Sequence, residues 1–471
     1  MTGMAQRSYF GTDGIRGVAG EHPMTASFAL RLGAATAENL RRNGTARPRV
    51  VIGMDTRRSG PMLAYATAAG LASRGATVSW LGVVPTPGVS FLTRALGADA
   101  GVVVSASHNP FADNGLKLFN QDGEKLSDEA EAAIEALLAS LDDRGMAALD
   151  PVVGEDVGAL NGMVTGASSG AGGSTAEGGN PALEPYIQHL LANAPYLDGL
   201  RVALDCAHGA SHAIAPRVFQ KIGARLEVLN ATPDGTNINV SCGSTHPDAL
   251  RRHVVSGNFD VGITFDGDAD RALLVDRRGR LVSGDHILAI CALSRGEKEV
   301  VATAMTNLGT ERYLADRGVT LHRVKVGDRY VFEDLKRREL SLGGEQSGHM
   351  LFLDKAPTGD GILTALQALS AVRKTGKPLE AWVDEVPVYP QVLLNVTVAA
   401  AARDALMSDP TVREVVESAE RELGDDGRVV LRPSGTEPLI RVMVEGADGE
   451  RVPALAERIA EAVRLASRSA A

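Results

Sequence analysis

The sequence predicts an α/β protein, with three doubly wound α/β units followed by a smaller α+β unit. Three observations carry this. Short apolar runs of strand length alternate with helix-period segments from Arg49 onward. Polar loops rich in Ser, Asp and Gly follow several of these runs, where open α/β sheets tend to bind ligands. After about Pro387 the texture shifts to longer strands and one amphipathic helix. A length of 471 residues fits roughly three to four domains.

Arg49–Met54 reads as a strand, Pro61–Ser73 as a helix and Ala76–Leu81 as a strand that ends in a Pro-Thr-Pro turn. Gly101–Val104 is apolar enough for a buried strand, and Ser127–Leu141 has helical spacing. Gly166–Gly179 is Gly/Ser/Ala-rich and is expected to be a flexible linker. Gly199–Asp205, Val261–Phe265, Ala272–Val275 and Glu299–Thr303 read as strands, and Asp360–Ala371 as a helix with Asp360 at its start. Lys374–Pro378 and the stretch to about Pro387 combine Gly376 with helix-breaking prolines, which predicts an irregular hinge. Val392–Val398 and Val429–Val444 read as strands, and Val452–Ala466 as an amphipathic helix.

Hydrophobic content of 44% supports packed cores, and with only 4% aromatics these must be aliphatic. The net charge of −10 argues against nucleic-acid or anionic-membrane binding, so an anionic substrate needs a local basic pocket. Cys206, Cys242 and Cys291 are widely spaced without a zinc pattern, as expected of reduced thiols in a cytoplasmic protein. No apolar run is long enough to span a bilayer, and no secretory leader is expected.

The strand Gly101–Val104 ends in Ser105-Ala-Ser107-His108-Asn109-Pro110, which places hydroxyls at a sheet mouth. Ser105 and Ser107 face the same side if the chain is extended, so periodicity does not choose between them. His108 fits a proton shuttle or a supporting hydrogen bond. The step Asn114-Gly115 is expected to reverse the chain and return Lys117 to the serines, where it takes a proton or neutralises a phosphate. Read alone, that spacing favours a solvated lysine at a hairpin end.

Asp266, Asp268 and Asp270 alternate in one loop and repel each other unless a cation such as Mg²⁺ or Ca²⁺ holds them. An EF-hand is excluded, because Arg271 and Arg277 stand where it needs Gly and Glu. A solvated turn, or a haloacid-dehalogenase-type phosphatase with Asp266 as nucleophile, fits the same loop. Arg432, Ser434, Gly435 and Thr436 form an anion nest or an ordinary hairpin, and Arg441 can add a second fork. Glu345 and Ser347 lie in a polar loop suited to sugar hydroxyls, and Arg16 is a candidate anion contact.

Together Phe10–Gly17, Ser105–Pro110, Asp266–Arg271, Val326–Val331, Gly344–His349 and Arg432–Pro438, in this order, resemble the α-D-phosphohexomutase superfamily over nearly the full chain. Asn239–Pro247, Val326–Val331 and Thr358–Gln367 favour its glucosamine-phosphate branch over the glucose and mannose branches. The resemblance implies four units around a central cleft. They are 1–160 with a phosphoserine loop, 183–280 with a metal loop, 281–376 with a sugar loop and 377–471 with a phosphate loop, and 161–182 is a linker. The family usually has a shorter, more polar linker there, which leaves the first boundary open.

The resemblance further implies interconversion of glucosamine 6-phosphate and glucosamine 1-phosphate through a 1,6-bisphosphate, feeding amino-sugar nucleotide and cell-wall precursor synthesis. Ser107 is then the phosphoserine, and with Asp266, Asp268 and Asp270 it holds one Mg²⁺. Lys117, Arg16 and His108 assist catalysis, while Arg271, Glu345, Ser347, Arg432, Ser434, Gly435, Thr436 and Arg441 bind substrate. A homodimer is compatible with this reading, and the oligomeric state stays open.

Overall fold

A computed structural model of the chain describes residues 9–144, 149, 152–162, 180–399, 403–433 and 438–469. The Gly/Ser-rich stretch Gly166–Gly179 and the loop residues Ser434, Gly435 and Thr436 lie outside the described residues. The strands form four sheets. In the first, Ala100–Val104, Arg49–Met54 and Thr77–Val83 run parallel, while Asp113–Asn120 and Ile15–Val18 add antiparallel neighbours on one side. All of Ala100–Val104 is buried, which is why the run is continuously apolar rather than alternating. The helices Ala26–Arg42 and Gly60–Ala72 cross at backbone contact, because a side chain on Gly33 would run into the Thr67 carbonyl.

The second sheet has parallel Arg225–Leu229, Arg201–Asp205 and Val261–Phe265, then antiparallel Ala272–Asp276 and Leu281–Val282. The third carries Thr320–Val324, Glu299–Thr303 and Leu342–Gly344 in parallel, with Met350–Phe352 closing a hairpin. The fourth is an antiparallel ribbon of Gln391–Thr397, Leu439–Gly446 and Gly427–Pro433, covered by the helices Pro410–Leu423 and Arg451–Ser469. The first three sheets are therefore mixed, with antiparallel strands at their sides.

One apolar core runs from Val103 and Phe119 of the first sheet through Tyr186, Phe265 and Ile287 to Phe352 and Trp382. The C-terminal unit has a separate core built on Val396, Val442, Ile459 and Val463. Two sequence expectations are corrected. The Asn114-Gly115 step lies inside the strand Asp113–Asn120, and the chain reverses earlier, through turns at Ala106–Asn109 and Pro110–Asp113. The expected irregular hinge contains the helix Leu379–Glu385, whose Leu379 and Trp382 are buried; Gly376 instead caps the preceding helix at φ 65°.

Candidate active site

The strand Ala100–Val104 delivers Ser105 and Ser107 to its C-terminal end, and the two serines part company there. Ser107 adopts a left-handed backbone, φ 51°, which an L-residue enters only under constraint. The constraints are visible. Ser105 Oγ donates to Asp55 Oδ2 at 2.6 Å and accepts the Ser107 N–H at 2.9 Å. Arg57 is ion-paired with Asp55 and donates to the carbonyls of Ser107 at 2.9 Å and Asn109 at 2.6 Å. Asn239 Nδ2 donates to the same Ser107 carbonyl at 3.0 Å. The expectation that both serines face one way fails because the chain is not extended at Ser107. Ser105 is a buried strut, and Ser107 Oγ donates to Asp266 Oδ2 at 2.5 Å.

Asp266, Asp268 and Asp270 sit in the turn between Val261–Phe265 and Ala272–Asp276, and all three are buried. Neighbouring backbone fixes this turn. The N–H of Thr86 donates to the Asp268 carbonyl at 3.0 Å, and that of Gly361 donates to the Ala269 carbonyl at 2.9 Å. One oxygen from each carboxylate lies within 4.8 Å of the others. Burial, then Asp270 and Asp268, pushes the Asp266 carboxyl well above the usual range. Burial would also raise Asp270, but Lys117, His349 and Arg271 outweigh it and hold Asp270 down. Oδ1 of Asp268 and Oδ1 of Asp270 are buried and accept no hydrogen bond among the described residues. Convergent hard oxygens with lone pairs to spare suit a hard divalent cation.

Lys117 reaches this cluster from the strand Asp113–Asn120, opposite Val103. Its Nζ lies 2.9 Å from Asp268 Oδ2, 3.0 Å from Asp13 Oδ2 and 3.6 Å from Asp270 Oδ2. Burial favours a neutral amine, yet these carboxylates outweigh it and raise the pKa, so Lys117 is an ammonium rather than a resting proton acceptor. Arg16 pairs with Asp13 and donates to the Ala106 carbonyl at 3.3 Å, beside Ser107. His108 Nδ1 is 3.2 Å from Ser107 Oγ and 3.3 Å from Arg271 Nη1. Burial and then Arg271 lower its pKa to about 4, leaving a neutral ring at pH 7.

Glu345 and Ser347 lie on the hairpin loop between Leu342–Gly344 and Met350–Phe352. Glu345 Oε1 accepts the Gly327 N–H at 3.1 Å, and Ser347 Oγ is buried without a partner among the described residues. Arg432 and Arg441 face each other directly across the C-terminal ribbon, and burial, then Arg441, pulls the Arg432 pKa down. Sequence reasoning did not single out Asp13, Asp55, Arg57, Lys125, Asn239, Asp328 or His349. Four of them stand in segments already prominent: Asp13 three before Arg16, Asn239 in Asn239–Pro247, Asp328 in Val326–Val331 and His349 closing Gly344–His349. Asp55 and Arg57 follow the strand Arg49–Met54, a position that could have drawn notice.

A buried serine hydroxyl, three cation-ready carboxylates and a locked ammonium at the junction of three α/β units define a phosphoryl-transfer enzyme of the phosphohexomutase class. Models of the phosphoglucomutase/phosphomannomutase family match α/β/α domain I at residues 7–145, domain II at 184–279, domain III at 283–389 and the C-terminal domain at 393–462. The chain belongs to this family and, within it, groups with the phosphoglucosamine mutases. It is 52% identical to the phosphoglucosamine mutase of Deinococcus radiodurans, over 98% of each chain. It is 50% identical to that of Thermus thermophilus, over 98% of this chain and 99% of the other.

Among solved structures, a phosphoglucomutase/phosphomannomutase family protein from Burkholderia thailandensis shares the fold with TM-score 0.79, 23% identity and 98% of each chain covered. Aspergillus fumigatus N-acetylphosphoglucosamine mutase, in complex with GlcNAc-6P and magnesium, shares it with TM-score 0.66 at 20% identity, over 98% of this chain and 96% of the other. No described helix is long and apolar enough to cross a membrane.

Proposed function

We propose that this chain interconverts glucosamine 6-phosphate and glucosamine 1-phosphate through a phosphoryl group carried on Ser107. The observation that carries this is the hydrogen bond from Ser107 Oγ to Asp266, made across two units at the carboxylate cluster. The names of relatives at about half identity over the full chain support the amino-sugar substrate. In the first half-reaction the bond between phosphorus and Ser107 oxygen breaks, a bond to the free sugar oxygen forms, and the proton of that sugar hydroxyl ends on Ser107. In the second the bond between the other phosphorus and its sugar oxygen breaks, a bond to Ser107 oxygen forms, and the Ser107 proton ends on the freed sugar oxygen. The first half-reaction gives glucosamine 1,6-bisphosphate; after it turns end for end, the second returns the other phosphate to Ser107.

Asp266, Asp268 and Asp270, with Ser107 or its phosphate, are the residues that would hold Mg²⁺. Such an ion supplies charge neutralisation at the transferring phosphate. Lys117 and Arg16 bring fixed positive charge to the same place. Arg57, Asp55 and Ser105 hold Ser107 in its left-handed turn. His108, neutral at pH 7, keeps Arg271 aimed at the cleft. Glu345 and Ser347 read sugar hydroxyls. Arg432 and Arg441, with Ser434, Gly435 and Thr436, take the phosphate that is not reacting, which offsets the repulsion between the two guanidiniums.

The test has two arms. Coupled assays should show turnover of glucosamine 1-phosphate well above that of glucose 1-phosphate or mannose 1-phosphate. Peptide mapping of freshly purified protein should place a phosphate on Ser107. A hydroxylamine-labile phosphate on Asp266 instead would make the chain a phosphatase of the aspartyl-phosphate type.

A further inference from the structure

Lys125 lies outside the reaction scheme, yet it is tied to both sides of it. It follows the strand that bears Lys117, and a β-bridge to Phe119 pins its backbone. Its Nζ lies 2.7 Å from Asp13 Oδ1 and 2.5 Å from Asp328 Oδ2. Asp13 uses its other oxygen to hold Lys117 Nζ at 3.0 Å. Asp328 opens the helix Asp328–Arg338 directly after Gly327, whose N–H is bonded to Glu345. Asp328 Oδ2 is also 3.4 Å from His349 Nε2, and His349 Nδ1 is 3.7 Å from Asp270, which faces Lys117 at 3.6 Å. Lys117, Asp13, Lys125, Asp328, His349 and Asp270 thus form a closed ring of alternating charge that passes through all three α/β units.

We infer that Lys125 is a positioning residue for phosphoryl transfer, keeping Lys117 of the first unit in register with the Glu345 loop of the third. Two features make Lys125 the element that sets this register. Without it Asp13 and Asp328 lose the one cation they share, and nothing else in the ring bonds them to each other. Outside the bridge lies a cavity of ≈ 320 Å³, lined by Leu126, Phe332, Leu351 and Pro357, so no close packing holds the units together there. Further ties across this seam are ion pairs of Arg329 with Glu131 at 2.9 Å and with Asp128, a hydrogen bond from Arg329 to the Leu126 carbonyl at 3.0 Å, and an ion pair of Lys336 with Glu124 at 2.7 Å. Among these ties only Lys125 bonds both the carboxylate that holds Lys117 and the residue next to Gly327, which anchors Glu345, so it is the shortest link between Lys117 and a sugar seated against Glu345.

The inference rests on the mutase assignment above, and the experiment separates the two. In the full-length phosphorylated enzyme, Lys125→Met should lower kcat roughly a hundredfold while KM for glucosamine 1-phosphate stays within about twofold, the mark of misplacement rather than lost binding. Lys125→Arg should restore most of the rate. Asp328→Asn should cost a similar factor, and the two losses should not multiply in K125M/D328N. The double variant removes both charges and keeps the test readable where K125M alone does not fold. A folded K125M or K125M/D328N with wild-type kcat overturns the inference, as do losses that multiply. A wild-type chain that turns over neither glucosamine phosphate overturns the assignment instead.

Discussion

The first three units and the C-terminal unit handle charge in opposite ways. At the junction of the first three, where one apolar core spans them besides the first unit's own, Asp13, Asp270 and Asp328 lie against Lys117, Lys125 and His349. Asp268 shares Lys117 with Asp13, and Asp268 and Asp270 each keep one buried oxygen that accepts no hydrogen bond among the described residues. The C-terminal unit has its own core, and its ribbon sets Arg432 directly opposite Arg441. Like charges facing across strands destabilise. The first site is thus organised by the protein itself, with a carboxylate triad that could hold a metal ion. On the proposed function, an anion arriving from outside would ease the repulsion between the two ribbon guanidiniums.

The comparison breaks most visibly at Ser107. Ser107→Ala removes the phosphoryl carrier and should lower turnover on the order of 10⁵-fold, as loss of a covalent nucleophile does. Phosphopeptide mapping of the variant should find no phosphate on Ser105, which is occupied by Asp55. Turnover within tenfold of wild type would make Ser107 a bystander. The next largest effect belongs to Asp268→Asn. Outer-shell partners of a metal are worth about 10- to 100-fold in affinity, so a direct ligand should lose at least about a hundredfold. Mg²⁺ should raise the melting temperature of the wild type and leave that of Asp268→Asn unchanged. Without the ion two effects oppose each other in the variant: Asp266 is relieved of a neighbouring charge, and the buried Lys117 loses its nearest carboxylate, so the Mg²⁺ shift and not the ion-free melting temperature is the readout. Equal Mg²⁺ shifts in both proteins would mean that the ion binds elsewhere.

These two residues were legible in the sequence because local signals marked them. Three carboxylates at alternate positions between apolar strands have few purposes, and a serine at a strand end is exposed by topology. Periodicity could not choose between Ser105 and Ser107 because it assumes an extended chain, and Ser107 turns left-handed under ties to Ser105, Arg57 and Asn239. Lys117 reached the predicted neighbourhood by another route, from within a strand rather than past an Asn-Gly turn. Asp13, Lys125 and Asp328 were silent because their meaning lies in pairings 112 and 203 residues apart. No local pattern encodes such distances. Ser434, Gly435 and Thr436 lie outside the described residues, so only Arg432 and Arg441 represent the predicted phosphate turn.

The arginine pair is the sharper half of the comparison. Arg432→Ala should raise KM for the sugar phosphate about 10- to 100-fold, since hydrogen bonds to charged groups are worth roughly 1.5–3 kcal/mol. The free protein should be as stable as the wild type or more so, by up to about 1 kcal/mol, because a facing like charge is gone. The opposite pattern, an unchanged KM with a lower melting temperature, would show that the ribbon arginines hold the fold and not the ligand.

The smallest effect tests the joint between the two regions. Glu445, buried on the ribbon strand that carries Arg441, accepts the Leu308 N–H at 3.1 Å and pairs with Arg428. Across the joint, Asp285 Oδ2 accepts the Asn307 N–H at 3.1 Å. Burial, and next in the same direction Glu445, lifts the Asp285 pKa to about 6, against the pull of the Asn307 N–H, Thr306 and Arg323. Between pH about 4 and about 6 the folded protein therefore keeps a proton that the unfolded chain has released. Stability must fall as pH rises through that window and stay level above it, a loss of roughly 2–3 kcal/mol from this group. Asp285→Asn keeps an oxygen for the Asn307 N–H and cannot ionise. Its unfolding free energy, measured by denaturant titration from pH 4 to 8, should lack this component, so that the variant gains on the wild type up to about pH 6 and holds the gain beyond. Native-state hydrogen exchange should place the difference in the amides of the helices Gly284–Arg295 and Leu308–Ala315, which flank the Asp285–Asn307 bond. Parallel pH profiles for the two proteins would mean that Asp285 is ionised in the fold throughout and that the joint carries no proton.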